Sequence, residues 1–285
     1  MMADSLLDPR TIRALAAELD LRPTKQRGQN FVHDANTVRR IVAASGIGPE
    51  DVVLEIGPGL GSLTLGLLEV ADAVVAVEIE SSLAERLPRT AAERLPERAG
   101  RLRVVEADAL AVDSLPDPQP TAVVANLPYN VSVPVLLHVL AHFATIGRGL
   151  VMVQAEVADR LVAPPGSRTY GVPSAKLAWY CSARRVGSVP PTVFWPVPNV
   201  DSGLVELVRR DPPETTAKRD QVFAVVDAAF SQRRKMLRQA LSGLFGSAAA
   251  ASEAMISVGV DPQARGEVLG IADFARIAEA VPAAR

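Results

Sequence analysis

Apolar residues in the first two thirds of the chain occur in short β-branched runs, separated by stretches whose apolar positions have helical spacing. The β-branched runs are typical of buried strands, whereas L-T-L-G-L-L-E-V (63–70) is a typical helical stretch. The predicted strands are D-V-V-L-E-I-G (51–57), A-V-V-A-V-E-I-E (73–80), R-L-R-V-V-E-A-D-A-L (101–110), T-A-V-V-A-N (121–126) and G-L-V-M-V-Q (149–154). Strand–helix alternation predicts an α/β fold with a mostly parallel sheet covered on both faces.

The pattern changes in the last third of the chain. The run S-G-L-V-E-L-V (202–208) is expected to close the sheet at an edge, and R-R-D-P-P-E-T-T-A-K (209–218) is a polar, proline-broken linker. Residues 220–285 are rich in alanine, have helical periodicity and contain no convincing strand. We therefore predict a large α/β domain over 1–212 and a small all-helical domain over 213–285.

Composition limits the class of protein. The chain has 285 residues, 22% charged and 48% hydrophobic, as is ordinary for a soluble globular protein. No apolar run approaches the roughly 18–20 residues that span a bilayer, and the first residues lack a secretory signal pattern. The single cysteine, Cys181, excludes an internal disulfide and a multi-cysteine zinc site. We expect a cytoplasmic protein, with nothing that demands more than a monomer.

The few histidines do not suggest a metal site. His138 and His142 are four residues apart on a predicted helix, but His33 is remote and no third ligand is evident. We predict no metal.

Basic residues are concentrated in two places, although the formal net charge is only −2. They are R-P-T-K-Q-R (22–27) and S-Q-R-R-K-M-L-R (231–238), of which the second has no acidic residue to offset its cations. A solvated helix face would explain that stretch, and so would a surface that contacts nucleic-acid phosphates.

The segment E-I-G-P-G-L-G-S-L-T (55–64) follows the first predicted strand. Gly57, Gly59 and Gly61 allow a tight turn and a close approach of backbone to a ligand. Ligands of open parallel sheets bind at the carboxyl ends of the strands. The spacing G-x-G-x-G departs from the dinucleotide fingerprint, so the turn alone leaves NAD enzymes, flavoproteins and methyltransferases open.

Two acidic residues end the next strands. Glu78 can accept both hydroxyls of a ribose, and Asp108 or its neighbouring amides can contact the amino edge of an adenine. Each alone could be a solvated strand end. Together with the glycine turn they predict a cofactor that contains a nucleoside.

The segment N-L-P-Y-N (126–130) ends a further strand and indicates a specific chemistry. The side-chain oxygen of Asn126 and the backbone carbonyl of Leu127 can accept both hydrogens of an amino group conjugated to an aromatic ring, favouring the pyramidal nitrogen needed for attack. Pro128 stiffens the loop, and Tyr129 offers a face for a flipped base. A capped turn with a half-buried tyrosine is the structural alternative.

The sequence resembles the ribosomal RNA adenine N6-dimethyltransferases of the bacterial small subunit, the kasugamycin-resistance family. The resemblance spans almost the whole chain in the family's order. The motifs that carry it are G-Q-N-F-V (28–32), V-L-E-I-G-P-G-L-G-S-L-T (53–64), V-E-I-E (77–80), E-A-D-A-L (106–110), N-L-P-Y-N (126–130), P-P-T-V-F-W-P-V-P-N-V-D-S (190–202) and F-S-Q-R-R-K-M-L-R (230–238).

This resemblance implies a Rossmann-like class I methyltransferase domain that uses S-adenosylmethionine. It places Asn30 and the backbone around Val32 near the methionine end of the cofactor and Gly57 beneath it. Phe194 would form the second face of a target-base sandwich opposite Tyr129. The expected cofactor-binding residues are Asn30, Val32, Gly57, Gly59, Glu78, Asp108 and Asn126, and the expected RNA-binding residues are Arg233, Arg234, Lys235 and Arg238.

The implied reaction is dimethylation of N6 on two adjacent adenosines in a hairpin near the 3′ end of small-subunit (16S) rRNA, during ribosome biogenesis. The expected partner is that rRNA in a pre-ribosomal particle. Two alternatives stay open: a large-subunit rRNA adenine methylase that confers antibiotic resistance, and a non-catalytic ribosome-assembly factor of the same fold.

Overall fold

A computed structural model of the protein describes residues 5–21 and 30–282. The described residues divide into two compact units. The first contains residues up to Ala158 together with Arg184–Arg209, and the second contains Asp159–Ala183 and the residues from Arg210 onward.

The described residues form nine strands. They are β1 (Phe31–Val32), β2 (Val52–Ile56), β3 (Ala73–Glu78), β4 (Leu102–Glu106), β5 (Ala122–Asn126), β6 (Arg148–Gln154), β7 (Cys181–Val189), β8 (Phe194–Trp195) and β9 (Ser202–Arg209). Seven of them form one sheet in the order β4-β3-β2-β5-β6-β9-β7, and β1 and β8 form an antiparallel pair.

The sheet is mostly parallel, as the sequence predicted. The pairs β2–β3, β3–β4, β2–β5 and β5–β6 are parallel, whereas β6–β9 is antiparallel. Every residue of β2 and β3 is buried. Apart from Glu55 and Glu78 these strands are apolar, because helices cover both faces of such a sheet.

Helices connect the strands of the first unit. They are α1 (Pro9–Glu18), α2 (Ala35–Ser45), α3 (Ser62–Val70), α4 (Ser81–Arg94) and α5 (Ser132–His142), and α6 (Ala155–Leu161) leads out of it. Asp34 caps α2 by accepting from the Thr37 backbone N–H at 2.7 Å, and Gly46 ends that helix in the left-handed conformation.

The second unit is helical. It contains α7 (Val172–Leu177), α8 (Arg219–Ser231), α9 (Leu237–Ala240), α10 (Ser242–Phe245), α11 (Ala248–Ser257) and α12 (Ile271–Glu279). Between residues 210 and 282 the structure contains no strand, as predicted.

The predicted position of the run 202–208 was wrong. As β9 it lies inside the sheet, and β7 occupies that edge. The sequence of β7, C-S-A-R-R-V-G-S-V, mixes polar and apolar residues, as suits a partly exposed edge strand, so it has no apolar run to mark it.

The compact units also differ from the predicted cut after residue 212. Residues 159–183 belong with the C-terminal helices. Aromatic contacts within this unit explain the grouping, since the rings of Trp179 and Tyr180 each pack edge-on against Phe223, at 6.2 and 6.1 Å. No change of composition marks this segment in the sequence, whereas the polar linker at 209–218 is conspicuous.

In the part of the chain that the structure describes, every helix is too short or too polar to cross a membrane. The basic stretch 22–27, and Gly28 and Gln29 of the motif G-Q-N-F-V, lie outside the described residues.

Candidate active site

A cavity of about 320 Å³ opens at the carboxyl edge of β2, β3 and β5, within the first unit. The turn after β2 forms its floor. Gly57, Gly59 and Gly61 have φ angles of 68°, 57° and 95°, which side chains of L-residues rarely adopt. A Cβ on Gly59 would lie 2.7 Å from the ring of Phe31. The turn therefore requires glycine at position 59 for two separate reasons.

Glu78 lies at the end of β3 and lines this cavity. Its carboxylate accepts three backbone N–H groups, from Gly59 at 3.1 Å, Ile79 at 3.0 Å and Glu80 at 3.1 Å. Burial raises the pKa of Glu78, and the three N–H donors oppose that shift. The carboxylate is thus held rigidly against the glycine turn, where it can still accept hydrogen bonds from hydroxyl groups of a ligand.

Glu55 is a second buried acid of the same cavity, and its partner was not predicted from the sequence. The hydroxyl of Thr64 donates to its carboxyl at 2.6 Å. Burial raises the pKa of Glu55 to about 8, and the nearby charge of Glu78 adds to the shift. At neutral pH Glu55 is therefore mainly protonated. The signal in the sequence is its spacing: an acid at the end of a strand and a threonine in the first turn of the next helix.

Asp108 follows β4, as predicted, and lines the cavity with an exposed carboxylate. This carboxylate accepts the backbone N–H of Leu110 at 2.8 Å. Ile79 and Leu110 line the same cavity although 62% and 39% of their surfaces are exposed. Beyond the ends of β3 and β4 the cavity therefore combines a polar edge with apolar walls.

Asn126 ends β5 and is half-buried at the cavity wall. Its side-chain Nδ2 donates to the backbone carbonyl of Asn30 at 3.1 Å. This bond connects two motifs that lie almost a hundred residues apart in the chain. It also fixes the amide plane and so orients Oδ1, the acceptor that the predicted reaction needs.

The rest of the N-L-P-Y loop is anchored by two further hydrogen bonds. The backbone N–H of Leu127 donates to the Met152 carbonyl at 3.0 Å, while the leucine side chain is buried. Tyr129 is half-buried, and its hydroxyl lies 2.7 Å from the Ser202 hydroxyl. Burial raises the pKa of Tyr129, so the phenol is neutral at physiological pH.

Phe194 is placed differently from the prediction. It is 0% exposed and packs in the core of the first unit, so no face of its ring is open to a base. Its neighbour Trp195 is half-buried and stacks on Phe31 at 6.3 Å. Phe194 precedes the cis Trp195–Pro196 peptide. In the structure, Phe194 therefore does not offer a second ring face for a base stacked on Tyr129.

The structure brings most of the predicted site residues together. Those that line the one cavity are Asn30, Val32, Gly57, Gly59, Glu78, Asp108, Asn126 and Pro128. Leu127, Tyr129 and Phe194 do not line it. Ser202, which contacts Tyr129, was not among the predicted site residues.

The predicted RNA-binding residues lie in the second unit and are not equivalent. Arg233 is held in place, since its guanidinium pairs with Glu267 at 3.1 Å and donates to the Arg168 carbonyl at 2.7 Å. Arg234 and Lys235 are exposed, and Arg238 is half-buried.

Further bonds bring three segments of the second unit to one surface. The backbone N–H groups of Leu237 and Arg238 donate to the carbonyls of Ala264 and Pro262 at 2.8 and 3.1 Å. Arg265, next to Ala264, therefore lies beside the segment 233–238. We call this the basic surface, formed by Arg168, Arg234, Lys235, Arg238 and Arg265.

Among the residues that the structure describes, no group of three metal-ligating side chains occurs. His138 and His142 lie on α5 with their rings stacked at 4.0 Å, and His138 contacts the Val112 carbonyl at 2.7 Å.

Comparisons with known proteins show which family and fold the chain resembles. A family described as "Ribosomal RNA adenine dimethylase" matches residues 21–282. The chain is 66% identical to the ribosomal RNA small subunit methyltransferase A of Streptomyces avermitilis, over 97% of this chain and 94% of that protein. It is 67% identical to the protein of the same name from Kineococcus radiotolerans, over 96% of this chain and 91% of the relative.

Solved structures share the fold. A dimethyladenosine transferase from Plasmodium falciparum superposes with a TM-score of 0.72 at 23% identity, covering 87% of this chain and 95% of that one. The 23S rRNA methyltransferase ErmE superposes with a TM-score of 0.61 at 26% identity, covering 88% and 99%.

Proposed function

Because the chain belongs to the ribosomal RNA adenine dimethylase family, we propose that it transfers methyl groups from S-adenosylmethionine to N6 of two adjacent adenosines in a hairpin near the 3′ end of small-subunit rRNA. The product is N6,N6-dimethyladenosine at both positions. The observation that carries the proposal is the Asn126 amide, which lines the cavity at the end of β5 and is fixed by the Asn30 carbonyl.

The residues around the cavity fit S-adenosylmethionine. Glu78 suits the two ribose hydroxyls, and the exposed Asp108 suits the amino edge of the adenine, between the apolar side chains of Ile79 and Leu110. The glycine turn leaves room beneath the ligand, and Asn30 and Val32 adjoin the remaining end. When bound, the cofactor supplies an electrophilic methyl group on a positively charged sulfur.

The N-L-P-Y loop orients the target amine. The nitrogen lone pair of adenine N6 is delocalised into the ring, so the free amine is a weak nucleophile. The Asn126 Oδ1 and the Leu127 carbonyl accept its two hydrogens and favour the pyramidal geometry, which stabilises the transition state more than the ground state. No general base is needed before attack, since the nitrogen becomes strongly acidic only after alkylation and then releases its proton to solvent.

The anchors of this loop limit its freedom. The Leu127 N–H is bonded to Met152, the Asn126 amide to Asn30 and the Tyr129 hydroxyl to Ser202. Such pre-organisation places the acceptors before the base arrives and reduces the reorganisation needed for reaction. Tyr129 provides one face for the unstacked base, a contact worth about 1–3 kcal/mol.

The basic surface contacts RNA phosphates in this proposal. The second unit contains more Lys and Arg than Asp and Glu, whereas the first contains fewer. Arg234 and Lys235 have no acidic partner within ion-pair distance among the described residues, and an exposed cation without a partner is available to a phosphate. The partner is small-subunit rRNA in a pre-ribosomal particle, and the protein acts in the cytoplasm as a monomer.

The reaction is tested by incubating the purified protein with methyl-labelled S-adenosylmethionine and either immature small subunits or large subunits. We expect label in the small-subunit rRNA only, and primer extension should stop at two adjacent adenosines near its 3′ end. Label confined to the large subunit would show a large-subunit methylase. Tight binding to small subunits without any label would show a non-catalytic assembly factor.

A further inference from the structure

Ser202 is one of the anchors of the predicted base-binding loop, and it is the one that contacts the ring proposed to stack on the base. Its hydroxyl lies 2.7 Å from the phenol oxygen of Tyr129. Ser202 is 0% exposed, and Tyr129 is only half-buried, so one end of the tyrosine is enclosed while part of its surface remains accessible.

The topology of the sheet explains why these residues meet. β9 is antiparallel to β6, and Ser202, the first residue of β9, pairs with Gln154, the last residue of β6. β5 lies on the other side of β6 and ends at Asn126 at the same edge of the sheet. The start of β9 and the loop after β5 therefore flank the end of β6, and the Tyr129 side chain reaches across it.

This contact restricts the ring of Tyr129. A tyrosine side chain has two main torsions, and a half-buried ring held only by packing can rock about both. A hydrogen bond at the phenol oxygen fixes the first torsion and with it the direction of the ring axis, and the preference of the phenol hydrogen for the ring plane restricts rotation about that axis. Ser202 itself cannot move easily, because its backbone belongs to the β6–β9 ladder and the Asp201 carbonyl accepts the Ala155 N–H at 2.9 Å.

We infer that Ser202 is a positioning residue for the methyl-transfer reaction: it holds the Tyr129 ring in place beside the loop so that the target adenine stacks with N6 directed at the Asn126–Leu127 acceptors. This role rests on the proposed function. It acts on the orientation of the bound base, so it should change kcat rather than the binding of the cofactor or the rRNA.

A double-mutant cycle tests the role. Tyr129→Phe keeps the ring and removes only the hydroxyl, and Ser202→Ala removes only its partner. We expect each change to lower kcat about threefold to tenfold, as for one missing orienting hydrogen bond. The double variant should be no slower than the slower single variant, because both changes break the same hydrogen bond. The KM for small subunits and the Kd for S-adenosylmethionine should stay at wild-type values.

A spectroscopic measurement separates positioning from a general loss of structure. The target adenosine is replaced by fluorescent 2-aminopurine, whose emission is quenched when it stacks on an aromatic ring. The wild-type protein should quench it, and Ser202→Ala and Tyr129→Phe should both restore part of the emission.

Ser45→Ala is the matched control. Ser45 is also buried in the first unit and its hydroxyl also makes one short hydrogen bond, to the Val42 carbonyl at 2.6 Å, but it lies at the end of α2. This variant should retain wild-type kcat and quenching.

Two results would overturn the assignment. One is additive losses of kcat in the double variant, which would mean that Ser202 acts independently of Tyr129. The other is unchanged quenching in Ser202→Ala. Absence of methyl transfer by the wild-type protein would instead refute the proposed function, so the two failures can be told apart.

Discussion

The side chain of Asn126 connects two parts of the site through its two ends. Its Nδ2 is bonded to the Asn30 carbonyl, and both residues line the cavity. An amide held at one end offers its oxygen in a single direction. This explains why an asparagine suits the position better than a serine, whose hydroxyl would rotate freely, or an alanine, which offers no acceptor.

Replacing Asn126 tests this role directly. We expect Asn126→Ala to lower kcat by at least about 100-fold, since it removes an acceptor that acts mainly in the transition state. The Kd for S-adenosylmethionine, measured by calorimetry, should change little. Asn36→Ala, an exposed asparagine on α2, is the control and should behave as wild type. A wild-type rate for Asn126→Ala would show that the Asn126 side chain does not accept a hydrogen from the target amine.

Glu55 makes the stability of the protein depend on pH. Burial raises its pKa from 4.5 to about 8, so the folded chain holds a proton that the unfolded chain releases within that window. The stabilising contribution is therefore complete below pH 4.5 and is lost as pH rises towards 8, at no more than about 1.4 kcal/mol per pH unit.

Glu55→Gln should remove this dependence. We expect its free energy of unfolding, from urea denaturation near the two ends of the window, to fall less with rising pH than that of the wild type. Glu85→Gln, an exposed residue of α4, is the control and should keep the wild-type slope. Equal slopes for wild type and Glu55→Gln would show that Glu55 is ionised in the folded protein.

At the residue level the sequence located the residues that line the cavity better than the residues that hold them in place. Glu78, Asp108 and Asn126 follow strands, and strand ends can be located from apolar runs. The partners Thr64, Asn30 and Ser202 could not be assigned, because each pairing depends on how separate elements align. The burial of Phe194 was likewise unpredictable, since it follows from the short β1–β8 pair, which has too few residues to form a pattern.

The glycine turn between β2 and α3 lines the cavity in which we propose that the cofactor binds. Gly59 has a φ of 57°, and a Cβ there would lie 2.7 Å from Phe31. A non-glycine residue in the left-handed region costs about 1–2 kcal/mol. The clash would also push Phe31, which lines the cavity, out of place.

We therefore expect Gly59→Ala to lower the stability of the protein and to weaken S-adenosylmethionine binding at least about tenfold, as a loss of more than about 1.4 kcal/mol would. Calorimetric titration measures the second effect. Gly48→Ala is the control, because nothing lies within 4 Å of its Cβ position and its φ is not in the left-handed region. Unimpaired cofactor binding by Gly59→Ala would mean that the turn does not contact the ligand.

Among the elements, the parallel strands and β9 were predicted as strands, whereas β7 was missed and the position of β9 inside the sheet was not predicted. Buried parallel strands are apolar on both faces, so β2, β3, β5 and β6 stand out in the sequence. β7 has no apolar run, and its place at the edge becomes evident only when β9 pairs with β6. The antiparallel insertion of β9 matters for function, since it brings Ser202 to the edge where β5 ends.

For the molecule as a whole, the distribution of charge says more than the net charge of −2. The basic surface lies in the second unit, and within it Arg233 serves a different purpose from its neighbours. Its bonds to Glu267 and to the Arg168 carbonyl connect distant segments of that unit. The stretch 231–238 thus contains one structural arginine beside cations that remain available to phosphates.

Removing the exposed pair tests the basic surface. We expect the double variant Arg234→Ala, Lys235→Ala to weaken binding to small subunits and to reduce the slope of log K against log salt by about 0.9 for each phosphate that the variant no longer neutralises. The control removes the same charge near the start of β4, with Arg101→Ala and Arg103→Ala. A salt slope equal to that of the wild type would show that Arg234 and Lys235 are solvated and do not contact phosphates.

The alternation of segments between the two units limits what a shortened gene can encode. A chain that stops after codon 212 retains residues 159–183 but lacks Phe223 and Phe230, against which Trp179, Tyr180 and Tyr170 pack. The truncated product would expose these aromatic rings and become a substrate for proteases and chaperones. We therefore expect a premature stop codon after residue 212 to give an unstable product rather than a free-standing methylase.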